Sequence, residues 1–278
     1  MNASIALNAA PIFLSKPYLN TDAFNAGAIV VSSGDAFKHR VFDLVRSTQW
    51  VTQGENSDAV ASTYQSKLYD GSTVSARDVD FIGLYNVNLK NFKLQYRLSG
   101  GAWATFPGMD YSVGTADFSS TDLLVPLNAV VTFDELLLTC YATQTANQEK
   151  AVGGLIVAKM TFQPSRGLAT YSRAPQDTVI TVQMGDGSLD ETTILRGDDG
   201  FSFERSQLSF LGITQADMDS FDALRGDGFL FVPEPGNRPQ DIFLCRVSPG
   251  SYRKQYLSLS RVPAMYSLSF GVEEMGGA

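Results

Sequence analysis

Histidine is almost missing from this chain: His39 is the one imidazole in 278 residues. That scarcity removes most Ser-His-Asp, Cys-His and His-metal arrangements, because each needs an imidazole as base, orienter or ligand. His39 stands between Lys38 and Arg40, and a histidine in such company reads as surface rather than catalyst. No glycine-rich phosphate loop with its lysine and no dinucleotide fingerprint occurs, so nucleotide chemistry is not expected. Cysteine is as sparse, with two residues. Cys140 and Cys245 each lie in an apolar run, which favours two buried free thiols over a disulfide. Charge is low as well: charged residues are 18% of the chain and the formal net charge is -8. An acidic surface repels phosphate backbones, and Lys38-His39-Arg40 and Arg253-Lys254 are too short to make a basic patch, so nucleic acid is excluded as a general partner. No uncharged apolar run reaches the length that crosses a bilayer. Residues 1–11 have no basic residue ahead of their weakly apolar stretch, unlike a secretory signal, and the expected place of synthesis is the cytoplasm.

What the chain does have is apolar and aromatic content sufficient for a large core, 44% and 11% respectively. Its polar surface leans on Ser, Thr, Asn and Gln, which suits contact with other subunits. Short segments with period-two alternation recur between Gly, Asn, Asp, Ser and Pro, the pattern of antiparallel β structure rather than βαβ units. Residues 79–85 read as a strand and 86–88 as a turn. Residues 92–98 then alternate, with Phe92, Leu94, Tyr96 and Leu98 on one face, and 102–106 return as the second arm of a hairpin through Ser99-Gly100-Gly101. Strands are also expected at 135–142 and 155–162. The punctuation at 163–167 and 172–175 reads as an interdomain passage. This places one domain over residues 1–162 and a second over 163–278. In the second, strands are expected near 178–184, 191–195, 201–210, 229–232, 241–247, 255–261 and 266–272. One helix interrupts them, capped by Thr214, with Asp217 in its first turn, Met218, Phe221 and Leu224 at helical spacing, and Gly226 as its stop.

Chemistry without histidine would rest on carboxylates, since two acids can hydrolyse a glycoside and hard cations need only oxygen ligands. The clusters at Asp186, Asp190 and Glu191 and at Asp198-Asp199-Gly200 read as turns, where Asp and Gly supply the required geometries. Asp217, Asp219 and Asp222 are explained by the positive end of the expected helix. No residue is therefore assigned a catalytic, cofactor-binding or metal-binding role, no cofactor is expected, and the chain is not expected to be an enzyme. Trp50 and Trp103 can serve as sugar-stacking platforms, although an indole more often closes the end of a sandwich core. Tyr69 and Tyr85 read as exposed loop aromatics able to touch a glycan or a neighbouring subunit.

Residues 41–50, ending Ser47-Thr48-Gln49-Trp50, resemble the opening of galactose-binding-like jelly rolls of the discoidin or coagulation-factor type C family. Phe81-Ile82-Gly83-Leu84, Asn86-Val87-Asn88-Leu89 and Gly100-Gly101-Ala102-Trp103 follow in that family's order. The loop His and Arg residues that contact carbohydrate there have no counterpart in this sequence. The succession of 201–210, the helix, 229–235, 241–247 and 267–274 resembles bacteriophage tail or baseplate proteins of the distal-tail or tail-tip type. Together these resemblances imply a mainly β chain: an N-terminal jelly-roll sandwich plus a C-terminal β domain with one short helix. They imply a virion structural protein made in the host cytoplasm, a homo-oligomeric ring of threefold or sixfold symmetry that joins the tail tube to other tip proteins or fibres. The alternative reading is a carbohydrate-binding module, or receptor-binding protein, for host surface glycans.

Overall fold

The computed structural model describes residues 11–15, 17–18, 21–42, 48–70, 72–163, 168–174, 178–183, 189–194, 205–224, 228–233, 242–258 and 265–274. The chain is mainly β, a jelly-roll sandwich followed by a second β layer that carries one short helix. One sheet of the sandwich has five strands, in the order Ile29–Val31, Ser62–Lys67, Glu135–Thr143, Leu89–Arg97 and Ala104–Asp110. The other has four, in the order Leu123–Phe133, Arg77–Val87, Ala151–Ala158 and Trp50–Val51. All of these pairings are antiparallel. Alternation along each strand sends one set of side chains into the space between the sheets. Trp50, Tyr64, Phe92, Phe106 and Phe133 are fully buried there. The Trp50 indole N–H donates to the Ser33 carbonyl at 3.0 Å, so the polar atom of the largest core side chain is satisfied.

The hairpin is present with a shifted second arm, Ala104–Asp110 rather than 102–106. Leu98 does not join the buried face; it is 46% exposed. The strand ends one residue earlier because the chain turns at Ser99 (φ 50°) and Gly100 (φ 73°), and Gly101 N–H donates to the Leu98 carbonyl at 3.0 Å. The expected turn at 86–88 is a crossing between sheets. Asn88 holds it, its side-chain amide donating to the Glu149 carbonyl and accepting from Ala151 N–H, both at 2.8 Å.

The second layer is an eight-stranded sheet. Its main path runs Met160–Phe162, Ile12–Leu14, Phe229–Val232, Phe243–Val247, Met265–Glu274, Arg205–Ile213 and Leu168–Ala174, with Arg253–Ser258 also paired to Met265–Glu274. Residues 168–174, which overlap the passage read from sequence, are thus a strand, because Arg205–Ile213 supplies a ladder that their own Ser and Arg content does not announce. The expected strand 155–162 breaks at Lys159, whose N–H leaves the ladder for the Ser15 hydroxyl at 3.0 Å. Its two halves enter different sheets. The helix Gln215–Leu224 begins as expected: Asp217 N–H donates to Thr214 Oγ1 at 3.2 Å, and Thr214 N–H donates to Asp217 Oδ2 at 3.0 Å. Met218 and Phe221 are fully buried beneath it. Asp222 is not at the positive end of this helix; its carboxylate accepts from the Tyr252 hydroxyl at 2.9 Å. Thr178–Gln183 and Leu189–Ile194 pair as a hairpin. The acidic residues at 186 and 198–199, the first part of the expected strand 201–210 and Gly226 lie outside the described residues.

Two apolar clusters explain how the layers join. Phe13 is fully buried, and its ring centroid lies 5.0 to 6.3 Å from those of Phe210, Phe221, Phe229, Phe231 and Phe270. On the other face of the same strand, Ile12 and Leu14 pack with Leu230 and Val232 against Phe81, Tyr85, Ile156 and Ala158 of the four-stranded sheet. Burial of such side chains contributes about 1.5–3 kcal/mol each. That face of the sandwich is thereby closed.

Candidate functional site

The two outer faces of the sandwich have opposite fates. The four-stranded sheet is roofed by the second layer, whereas the outward residues of the five-stranded sheet stay half-exposed. Along Ser62–Lys67, Ser62, Tyr64 and Ser66 are buried while Thr63, Gln65 and Lys67 point outward. Leu137 and Thr139 do the same on Glu135–Thr143, and Lys93, Gln95 and Arg97 on Leu89–Arg97.

Register sorts these side chains into rows that run across the strands. In the central row Val30 stands opposite Gln65, Gln65 opposite Leu137, Leu137 opposite Gln95 and Gln95 opposite Thr105. One flanking row is Thr63, Thr139, Lys93 and Asp110, with Lys93 Nζ 3.4 Å from Asp110 Oδ2. The Ser112 hydroxyl, aided by its backbone N–H and Lys93, holds the Asp110 carboxyl below its usual value. The other flanking row is Lys67, Glu135 and Arg97. Arg97 Nε donates to Glu135 Oε2 at 2.6 Å, its Nη2 meets the same oxygen, and Lys67 Nζ lies 3.4 Å from Oε1. Glu135 is 6% exposed, so a single carboxylate with a cation on each side is set into the sheet surface.

Trp103 stands at the corner of this face. It precedes Ala104, which is opposite Tyr96, and is therefore beside Arg97. The Arg97 guanidinium covers the indole with its carbon 4.4 Å from the ring centroid. Asp134 fastens the turn beneath, accepting from Ser99 N–H at 3.0 and 3.1 Å, while Asp134 N–H donates to the Arg97 carbonyl at 3.2 Å. An aromatic ring, a guanidinium fixed from behind and a neutral row of amides and hydroxyls make a surface suited to noncovalent contact.

The other aromatics singled out from sequence are not with it. Trp50 is inside the core, and Tyr69 is half-buried against that core. Tyr85 is not a loop residue: it lies on Arg77–Val87, is 7% exposed and belongs to the seam with the second layer. Its burial depends on a sheet contributed by residues far away in sequence, which local pattern does not report. His39 is half-exposed, with Phe24 edge-on 5.7 Å away.

The chain is similar to several carbohydrate-binding modules of known structure. The family 32 module of Clostridium perfringens NanJ, solved in complex with galactose, is 14% identical, with 54% of this chain and 99% of that chain covered at a TM-score of 0.38. A mutant form of chitosan-binding module 1 from the chitosanase/glucanase of Paenibacillus sp. IK-5 is 14% identical, with 52% and 98% covered at 0.39. A putative α-L-fucosidase from Bacteroides thetaiotaomicron is 15% identical, with 52% and 30% covered, also at 0.39. No protein-family profile and no curated protein matches the sequence.

The loops at one end of the sandwich spend their polar groups on one another. Lys150 is fully buried, and its ammonium donates to the Ser57 carbonyl at 3.0 Å. Asp58 accepts from Thr143 N–H at 3.0 Å, Thr143 Oγ1 at 3.1 Å and Asn147 N–H at 3.1 Å. Burial alone would raise the Asp58 carboxyl, but these donors, with Lys150 nearby, hold it below its usual value. Gly54 N–H donates to Glu149 Oε1 at 2.8 Å across the same junction. No three His, Cys, Asp or Glu side chains converge on a metal-sized space among the described residues. Both cysteines are buried and form no disulfide, and no helix among the described residues is long and apolar enough to cross a membrane.

Proposed function

We propose that this chain is a noncatalytic carbohydrate-binding protein whose sandwich meets saccharide on its open five-stranded face. The observation that carries the reading is the Trp103 corner. Arg97 is fixed against one face of the indole by Glu135, which leaves a preorganised ring and guanidinium at the edge of a polar surface. A pyranose has an apolar face that stacks on an aromatic ring and hydroxyls that need fixed partners, so ordering those partners in advance lowers the cost of binding. In this reading the chain divides near residue 163, and the second layer supports the sandwich from its closed side. The reading is tested by glycan-array screening, followed by titration of the purified protein with hits. Because Trp50 is buried, a change in tryptophan emission reports on Trp103. Trp103→Ala is expected to abolish binding with little change in melting temperature; a protein indifferent to every saccharide removes the reading.

A second reading, a structural component of a phage tail tip or baseplate, is supported by the seam through Phe13, Ile12 and Leu14. Ile12–Leu14 and Phe229–Val232 both pack against the four-stranded sheet, which ties the sandwich and the second layer together. Mass photometry tests it. A ring of three or six copies supports it, and a persistent monomer that binds no tail component removes it.

A further inference from the structure

We infer that the open face takes an extended, uncharged polysaccharide laid across the five strands, rather than a single terminal sugar. The inference rests on the saccharide-binding reading and specifies the class of ligand. Three observations support it. The central row, Val30, Gln65, Leu137, Gln95 and Thr105, crosses all five strands in continuous register and contains no charge. Neighbouring strands lie about 4.8 Å apart, so this row spans about 19 Å, and its repeat is close to one pyranose unit in an extended chain. The two flanking rows place every acid against a base, Glu135 with Arg97 and Lys67 and Asp110 with Lys93, which leaves no free acid or excess of acids to favour a cationic chain and no open anion cradle.

The side chains of the central row divide the work. Gln65 and Gln95 each offer a carbonyl acceptor and two N–H donors, the combination that matches hydroxyls acting as both donor and acceptor. Leu137 lies between them and Val30 at the outer edge, 61% exposed, and these give the apolar faces of alternate sugars something to cover. Trp103 lies beside Thr105 at the opposite end of the rows and stacks a terminal unit. A chain running along the strands would instead meet alternating rows of paired ions.

The experiment is isothermal titration of the full-length protein with β-1,4-linked gluco-, N-acetylgluco- and xylo-oligosaccharides of one to six units. For at least one series, affinity is expected to rise with each unit up to about five and then level off. Gln65→Ala and Gln95→Ala should each weaken the hexasaccharide about three- to tenfold, the value of one or two hydrogen bonds, and Gln65→Ala, at the far side of Leu137 from Trp103, should leave the disaccharide unchanged. Carboxymethylated chains of the same length should bind no better. Affinity that levels off at the disaccharide and depends on Trp103 alone overturns the inference but leaves the saccharide reading standing. Absence of binding by every series and by array glycans removes both. A concentration-dependent dimer abolished by Leu137→Arg assigns the face to a second copy of the chain, which also overturns the inference.

Discussion

Replacing Gly154 by alanine tests how the two β layers are joined. Gly154 stands opposite Tyr85 in the four-stranded sheet, and a Cβ built there falls 1.7 Å from Tyr85 Cε1 and 2.1 Å from Cζ. No atom pair tolerates that separation, so the Tyr85 ring must leave its place over the strand. The ring is 7% exposed and packed in the seam with Phe81, Ile156, Leu230 and Val232, so it has nowhere to swing without disturbing the second layer. Overpacking a filled interior costs about 1–3 kcal/mol, and a rigid ring in a closed seam puts the expected loss near the top of that range. The φ of Gly154 is outside the left-handed region, so the cost is steric rather than conformational. The assay is urea denaturation of a double-mutant cycle. Tyr85→Ala alone should lose about 3 kcal/mol through its cavity. Adding Gly154→Ala to Tyr85→Ala should then cost nearly nothing, because the clashing atoms are gone, giving a coupling of about 1–3 kcal/mol. If Gly154→Ala costs the same with and without the Tyr85 ring, the seam is not held as described.

Other consequences can be checked directly. Phe13→Ala removes the ring at the centre of five phenylalanines and should destabilise the second layer by about 3–5 kcal/mol, read as lost amide protection in 205–213 and 265–274 before the sandwich. Asp58 and Asp80 should give opposite pH slopes. The folded-state pKa of Asp58 is depressed, so its contribution is present above the unfolded carboxyl value of about 4 and is lost as pH falls through the folded value. Burial raises the Asp80 carboxyl despite its bond from Met160 N–H and the charge of Lys159, so its contribution is present at low pH and lost as pH rises from about 4 through the folded value. Denaturation at about pH 3 to 7 of Asp58→Asn and Asp80→Asn should flatten one slope each; a common sign for both would contradict the assignment. Burial pushes the Cys140 thiol up to about 12, despite the counter-effect of Lys150, so a disulfide reagent at about pH 8 should label it in urea but not in the native state.

Much of the fold is readable in the residues themselves. The alternation of Phe92, Leu94 and Tyr96 announces Leu89–Arg97, the turn through Gly100 announces its hairpin, and Thr214 with Asp217 announces the helix at Gln215–Leu224. In each case a local rule suffices: side-chain alternation on a strand, left-handed turn geometry, or reciprocal capping of free N–H groups. Ser62–Lys67 is hidden because its inward positions include Ser62 and Ser66, and Leu123–Phe133 because Pro126 lies within it. The first lacks apolar residues on alternate positions; the second has them at every odd position from Leu123 to Phe133, and only Pro126 speaks against a strand.

What Ile12–Leu14 does is not local at all. Three apolar residues near the start of the chain become an interior strand of the second layer, because partners near 160 and 230 in sequence supply both edges. The same distant packing buries Tyr85, whose neighbours in the chain present it as an exposed aromatic, and leaves the five-stranded sheet as the open one. Residue order alone settles which segments extend, turn or coil, since those preferences act within a few residues. Which sheet face is covered, and which aromatic stands beside a fixed guanidinium, emerges on folding, because burial and register are set by contacts between segments far apart in the chain.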